Sequence, residues 1–151
     1  MTLNPGDRAP DFSLSDTHGN LYSLSSLQGK RIILYFYPRD NTPGCTKEAC
    51  GFRDHYAEFQ KRDVIVLGIS TDDTKSHQKF VTKFQLPFPL LCDTDATVAK
   101  AYGSYGLKKM MGKEYMGVSR QTFIIGPDGL IEKIYRKVKP ETHAAELLAD
   151  I

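Results

Sequence analysis

No stretch of the chain is apolar for long enough to cross a bilayer; the longest such run, Ile32 to Tyr37, has only the length of a strand. Charge of one sign is also lacking. Twenty Lys and Arg stand against eighteen Asp and Glu, and a formal +2 is too small to argue for nucleic acid or an anionic membrane as partner. Residues Met1 to Pro10 show no basic-then-apolar signal pattern, so the expected location is the cytoplasm. Cysteine occurs only three times, which is no disulfide framework in a chain without a secretion signal. The three thiols are then packing residues, metal ligands or redox groups, and only their spacing can separate these.

What is present has the pattern of one α/β domain over residues 1–151. Asp11–Leu24 reads as a small hairpin turning at Thr17-His18-Gly19-Asn20. Arg31–Pro38 is a strand buried on both faces and stopped by Pro38. Thr42-Pro43 supplies an N-cap and first helical residue. Cys45, Ala49, Phe52, Tyr56 and Phe59 then recur at helical steps, predicting one helix to about Lys61. Val64–Ser70 and Leu90–Cys92 read as strands, Thr74–Phe84 and Ala96–Tyr102 as helices. Thr122–Ile125 and Leu130–Val138 form an antiparallel hairpin across Gly126-Pro127-Asp128-Gly129, and Glu141–Ala149 is a last helix. Gly103–Gly117 reads as a long loop of the functional or mobile kind, with Lys108 and Lys109 solvated in it. Alternating strands and helices predict a sheet covered on both faces.

The segment Tyr37 to Cys50 joins the carboxyl end of a buried strand to the amino end of a helix, where open α/β sheets place ligands. With Thr42 as N-cap, Cys45 falls in the first turn. Free N–H groups and the positive end of the helix dipole favour a thiolate there, and only the thiolate is a good nucleophile. A helical cysteine on an apolar face can also be mere packing. The helix-start position and a second cysteine five residues on weigh against that.

Five helical residues separate two Cα atoms by roughly 8.5 Å, whereas a disulfide tolerates only about 7 Å. If Cys45 and Cys50 are both helical and redox active, bonding them requires local unwinding. Gly51 weakens the helix there by roughly 1 kcal/mol relative to alanine. Metal binding is the competing use, but C-x4-C is not the C-x2-C zinc spacing, and no histidine follows at ligand distance in the same element. Cys92 and His55 could complete a metal site through the fold, but the spacing makes a structural metal the minor reading. Cys92 reads as a packed or inert thiol.

Pro38, Thr42 and Cys45 reproduce P-x-x-x-[TS]-x-x-C, and the full string Tyr-Pro-Arg-Asp-Asn-Thr-Pro-Gly-Cys-Thr-Lys-Glu-Ala-Cys resembles the peroxiredoxins, in the form of the peroxiredoxin Q or bacterioferritin comigratory subfamily. The resemblance extends from Gly6-Asp7-Arg8-Ala9-Pro10-Asp11-Phe12, through Leu67-Gly68-Ile69-Ser70, to Ser119-Arg120-Gln121-Thr122-Phe123 and Pro127-Asp128-Gly129. It implies a thioredoxin-like fold, a central mixed sheet flanked by helices with an N-terminal hairpin.

It also implies a thiol peroxidase acting on hydrogen peroxide and alkyl hydroperoxides. Cys45 would be the peroxidatic cysteine, Thr42 would offer its hydroxyl, and Pro38 would shield the pocket. Arg120 would favour the ionised thiol and orient the peroxide, with Glu48 holding the arginine. Cys50 would be the resolving cysteine, forming an intramolecular disulfide that thioredoxin or a similar dithiol protein reduces. The enzyme would act as a monomer, without a cofactor, and the Gly103–Gly117 segment would help shape the pocket. Two other readings stay open. One is a thiol–disulfide oxidoreductase on the same fold, a class that normally uses C-x-x-C, often after a tryptophan, a residue this chain lacks. The other is a binding module whose cysteines only pack.

Overall fold

The computed structural model describes residues 2–151. Its centre is a five-stranded sheet. β1 (Ser13–Ser15) and β2 (Leu21–Ser23) form a separate N-terminal hairpin whose turn is tied by Asp16, which accepts from the backbone of His18 and Asn20. The main sheet consists of β3 (Arg31–Phe36), β4 (Val64–Ser70), β5 (Leu90–Cys92), β8 (Gln121–Ile125) and β9 (Ile131–Tyr135), in the order β5-β4-β3-β8-β9. β3, β4 and β5 run parallel, while β8 and β9 are antiparallel to their neighbours, so the sheet is mixed.

β3 lies in the middle, and its continuous apolar run is used on both faces. Ile32, Leu34 and Phe36 join one core with Leu67, Ile69, Tyr102 and Phe123. Ile33 and Tyr35 join the opposite core with Cys45, Ala49, Phe52, Phe80 and Leu147. Such period-2 division is what a two-sided strand requires.

The helices are α1 (Pro43–Asp54), α2 (Tyr56–Lys61), α3 (Thr74–Phe84), α4 (Thr97–Ala101) and α5 (His143–Asp150). α1 buries Cys45, Glu48, Ala49 and Phe52. Truncating a fully buried ring such as Phe52 costs about 3–5 kcal/mol. α3 turns Phe80 inward together with the polar His77. No helix among the described residues is long and apolar enough to cross a membrane.

Two elements differ from the sequence expectation. The single helix to Lys61 is broken at His55, whose φ of −105° and ψ of 6° leave the helical region. The His55 backbone N–H and ring Nδ1 both meet the Gly51 carbonyl, at 3.2 and 2.9 Å. The apolar period survives the break because Phe52 and Phe59 still point into one core. The Gly103–Gly117 segment is no loop. It forms a hairpin of β6 (Tyr105–Met110) and β7 (Lys113–Val118), paired from Tyr105↔Val118 to Met110↔Lys113. Its two turn residues, Met111 and Gly112, both have positive φ, 53° and 79°, as a type I′ turn demands. The hairpin stays outside the main sheet with much of its surface exposed, so no buried face imposes an alternating pattern on its sequence.

Candidate active site

Two chain segments meet at Cys45. The first is the turn from β3 into α1. Asp40 anchors it: its carboxylate accepts from the Tyr37 hydroxyl at 2.6 Å and the Ser76 hydroxyl at 2.8 Å, and meets His77 Nδ1 at 2.7 Å. The Asp40 N–H donates to Asp72 at 2.8 Å. His77 Nε2 faces the Leu91 carbonyl at 3.0 Å, an acceptor only, so Nε2 carries hydrogen. Burial opposes a charge on His77, but the hydrogen bond and charge of Asp40 outweigh it and raise its proton affinity. Asp40, Asp72 and His77 bring their ligand-type atoms within 4.8 Å of one another, and those atoms already bond to each other and to their neighbours. Asn41 follows at a φ of 58°, a conformation Asn tolerates better than most residues.

Thr42 is the N-cap of α1 by position, but its side chain does not cap the helix. The hydroxyl instead donates to the Arg39 carbonyl at 2.9 Å, leaving its oxygen able to accept. Thr46 N–H is bonded to the Thr42 carbonyl, so the N–H groups of Gly44 and Cys45 lack an intrahelical partner. Cys45 is 1% exposed.

The second segment runs from β7 into β8 and carries Arg120. Its Nη2 donates to Cys45 Sγ at 3.4 Å and its Nη1 to Glu48 Oε1 at 2.7 Å. One guanidinium thus holds a thiol and a carboxyl that lie one turn apart on α1. Gly44 makes the approach possible, since a Cβ there would lie 3.0 Å from Arg120 Nη2. Burial pushes the Glu48 carboxyl up to about 7, against the charge and hydrogen bond of Arg120.

A cavity of about 830 Å³ opens against Thr42, Gly44 and Arg120, which border the buried Cys45. Pro38, Thr42, Gly44 and Arg120 form one side; Lys108, Tyr115 and Met116 of the β6–β7 hairpin form the other. The structure therefore brings together five of the six residues singled out in the sequence: Cys45, Thr42, Arg120, Pro38 and Glu48. Cys50 lies further along α1, half-buried, and both cysteines are free. With both thiols in one helix, the separation of roughly 8.5 Å worked out from helix geometry applies. Cys92 is half-buried beside the Thr74 hydroxyl, and burial pushes its thiol up.

Lys108 is the residue misjudged from sequence. It is half-buried rather than solvated, donates to the Val118 carbonyl at 2.9 Å, and lies on the cavity. Burial and the nearby Arg120 charge lower its proton affinity. Tyr35 was not singled out either. Its hydroxyl is buried at the back of the site, and burial together with the charges of Glu48 and Cys45 drives it well above the ordinary tyrosine range. A six-residue run on either side of Met111-Gly112 was the available hint for the hairpin; nothing in the sequence marks Tyr35 as more than core.

The chain is similar to known proteins over nearly its whole length. The AhpC/TSA family profile matches residues 5–134. The chain is 48% identical over 148 residues to peroxiredoxin Bcp of Bacillus subtilis, covering 98% of this chain and 94% of the relative. It is 45% identical over 141 residues to peroxiredoxin Bcp of Escherichia coli, covering 93% and 90%. Among solved structures it superposes on a Cys-to-Ser variant of peroxiredoxin Q from Xylella fastidiosa with a TM-score of 0.93, at 35% identity over 99% of this chain and 96% of the other. It superposes on the Xanthomonas campestris bacterioferritin comigratory protein, whose alkyl peroxide reduction activity is described, with a TM-score of 0.87, at 37% identity over 92% and 88%. The thioredoxin-like mixed sheet, the buried helix-start cysteine under an arginine and the near full-length identity lead to one place: the chain belongs to the AhpC/TSA family, among its Bcp or peroxiredoxin Q thiol peroxidases.

Proposed function

We propose that this chain, acting as one domain, reduces hydrogen peroxide and alkyl hydroperoxides through Cys45, and that Cys50 resolves the product. The carrying observation is the Arg120 guanidinium placed on Cys45 Sγ at the amino end of α1. Its fixed charge favours the thiolate and offers donors to a peroxide oxygen in a largely water-free site. The thiolate attacks one peroxide oxygen, the O–O bond breaks, and the leaving oxygen takes up one proton and departs as water or an alcohol while Cys45 becomes a sulfenic acid.

Thr42, with its own hydrogen on Arg39, accepts from the O–H of the incoming hydroperoxide, while Pro38 covers the thiol side of the cavity. Glu48 holds Arg120. After α1 unwinds locally, the Cys50 sulfur attacks the sulfenic sulfur and the S–O bond breaks. The sulfenic hydroxyl leaves as water with the proton given up by the Cys50 thiol, and an intramolecular disulfide forms. A cytoplasmic dithiol protein of the thioredoxin kind reduces it by exchange, with the peroxidase acting as a monomer.

Intact mass after one equivalent of hydrogen peroxide tests the scheme. The wild type should lose two hydrogens, and the Cys50→Ser variant should carry a trappable sulfenic acid on Cys45. Cys45→Ser should show no turnover. Peroxidase activity at the wild-type level in Cys45→Ser refutes the assignment, and a wild type that accumulates sulfenic acid instead of the disulfide removes Cys50 as resolver.

A further inference from the structure

Among the described residues, two buried side-chain polar atoms have no hydrogen-bond partner: Glu48 Oε2 and the Tyr35 hydroxyl. Both belong to the same site. Glu48 stands one helical turn from Cys45, and its side chain has no solvent exposure. Tyr35, on β3, has its ring fixed against β4, where a Cβ on Gly68 would lie 2.8 Å from Tyr35 Cζ. After burial itself, the Glu48 and Cys45 charges act most strongly on the Tyr35 hydroxyl.

An ionised Glu48 would have one oxygen served by Arg120 and the other buried with nothing to donate to it. A buried charge so half-served is costly. Arg120 also faces two would-be anions, the Glu48 carboxylate and the Cys45 thiolate, and carries one positive charge. Two anions on one guanidinium are incompletely compensated, since Lys108, the neighbouring cation, is held on the Val118 carbonyl rather than on either of them; one anion and one neutral acid are matched.

We propose that Cys45 and Glu48 hold a single proton between them across Arg120 in the reduced protein, and that oxidation of Cys45 drives this proton off the carboxyl. The inference rests on Cys45 being the attacking thiol. In the reacting form the sulfur is a thiolate and Glu48 is a neutral acid whose Oε2–H occupies the unpartnered position. The sulfur then bonds to one peroxide oxygen and is oxidised by two electrons, and the O–O bond breaks. The leaving oxygen takes up a proton and Glu48 gives one up, so the reaction draws no net proton from solvent. Because the sulfenic acid is neutral, the Glu48 carboxylate now keeps Arg120 to itself, and Sγ is released toward Cys50.

The other ionisable groups facing this cluster do not offer that proton. From β6, Lys108 carries a proton whose hold burial and the Arg120 charge loosen and the Cys45 charge tightens, but its ammonium donates to the Val118 carbonyl. From α5, His143 is held down by burial and pairs with Thr122 and Glu146. From β3, Tyr35 is held neutral. Asp40, which acts on Tyr35, is committed to Tyr37, Ser76 and His77. Glu48, by contrast, sits at about 7 through burial, within reach of neutral conditions.

The test uses the Cys50→Ser protein, where reaction stops at the sulfenic acid, with a pH indicator in weak buffer at pH 7.5 and sulfenic acid counted by trapping. Cys50→Ser should take up less than half a proton per sulfenic acid formed. The Glu48→Gln, Cys50→Ser protein, left with a thiolate under an unshared arginine, should take up one. Full uptake in the first protein, or none in the second, overturns the shared proton. Infrared difference spectra of Cys50→Ser serve if the double variant folds poorly. Oxidation should erase a protonated-carboxyl band, and its absence overturns the proposal too. If Cys50→Ser forms no sulfenic acid at all, the assignment of Cys45 as the attacking thiol fails first.

Discussion

Gly51→Ala isolates the unwinding that the proposed Cys45–Cys50 disulfide would require. Gly51 lies in α1 directly after Cys50, and its backbone is not in the left-handed region. A Cβ added there meets only Ala144 Cβ, at an ordinary 3.7 Å, so alanine fits without strain. Replacing glycine by alanine in a helix interior stabilises the helical form by roughly 1 kcal/mol. If residues 45–51 leave the helix before Cys50 can reach Cys45, that stabilisation is lost in the transition state. The resolving step then slows by about 5-fold, at roughly 1.4 kcal/mol per tenfold. The first step, attack of Cys45 on peroxide, uses the reduced helix and keeps its rate.

The assay is rapid mixing with hydrogen peroxide, quenching into a sulfenic-acid trap, and intact mass at each time. The expected record is the same rate of sulfenic acid formation, a longer sulfenic acid lifetime, and a higher urea midpoint for the reduced protein. A higher midpoint with an unchanged resolving rate would refute the reasoning, because unwinding would then stop short of residue 51.

Two further outcomes follow from the buried ionisable groups. Glu48 is raised from 4.5 to about 7, so the unfolded chain releases its proton first and stability falls as pH rises between those values. Over about 2.5 units the loss is roughly 3 kcal/mol. In a Cys45→Ser background, where no thiol competes for the proton, urea titrations should show this slope, and adding Glu48→Gln should flatten it; parallel slopes contradict the burial argument. His77 behaves in the same sense, since its proton affinity is also raised on folding. Its contribution is complete below about 6.5 and is lost as pH rises through the folded value. Asp40→Asn should remove that alkaline loss and cost about 3 kcal/mol at pH 6. Equal stability of the two proteins at pH 6 would mean that the pair does not hold the turn before α1.

The parts of the fold legible in the sequence are those with a buried face. Ile32 to Tyr37 and Val64 to Ser70 read as strands because both of their faces are apolar, and α1 declared itself through Cys45, Ala49 and Phe52. The helix break at His55 left no trace, because it depends on a ring nitrogen meeting a carbonyl four residues back, while Phe59 keeps the apolar period. The hairpin was missed for the opposite reason: Leu107, Tyr115 and Met116 are apolar yet exposed, so burial did not order its pattern. In the site, Cys45 and Glu48 share a helix and their proximity follows from spacing. Arg120 lies 75 residues further on, and no local rule connects it to Cys45; only the family resemblance did. Tyr35 looked like core because it is core, and its role comes from where its hydroxyl ends.

Among the described residues, the β6–β7 hairpin forms a two-stranded sheet of its own. It is fastened at its base, where the Ser119 N–H donates to the Ser104 carbonyl at 2.7 Å and the Ser104 hydroxyl donates to Gln121 at 3.0 Å. Its outer half carries neither the thiol nor the arginine. Substitutions or length changes toward Met111 therefore alter the far wall of the cavity without disturbing the sheet register that sets Arg120 against Cys45. Such an arrangement separates two inheritable properties: the placement of Arg120 on Cys45 belongs to the sheet and α1, while the shape of the cavity's far wall belongs to a ribbon outside that sheet.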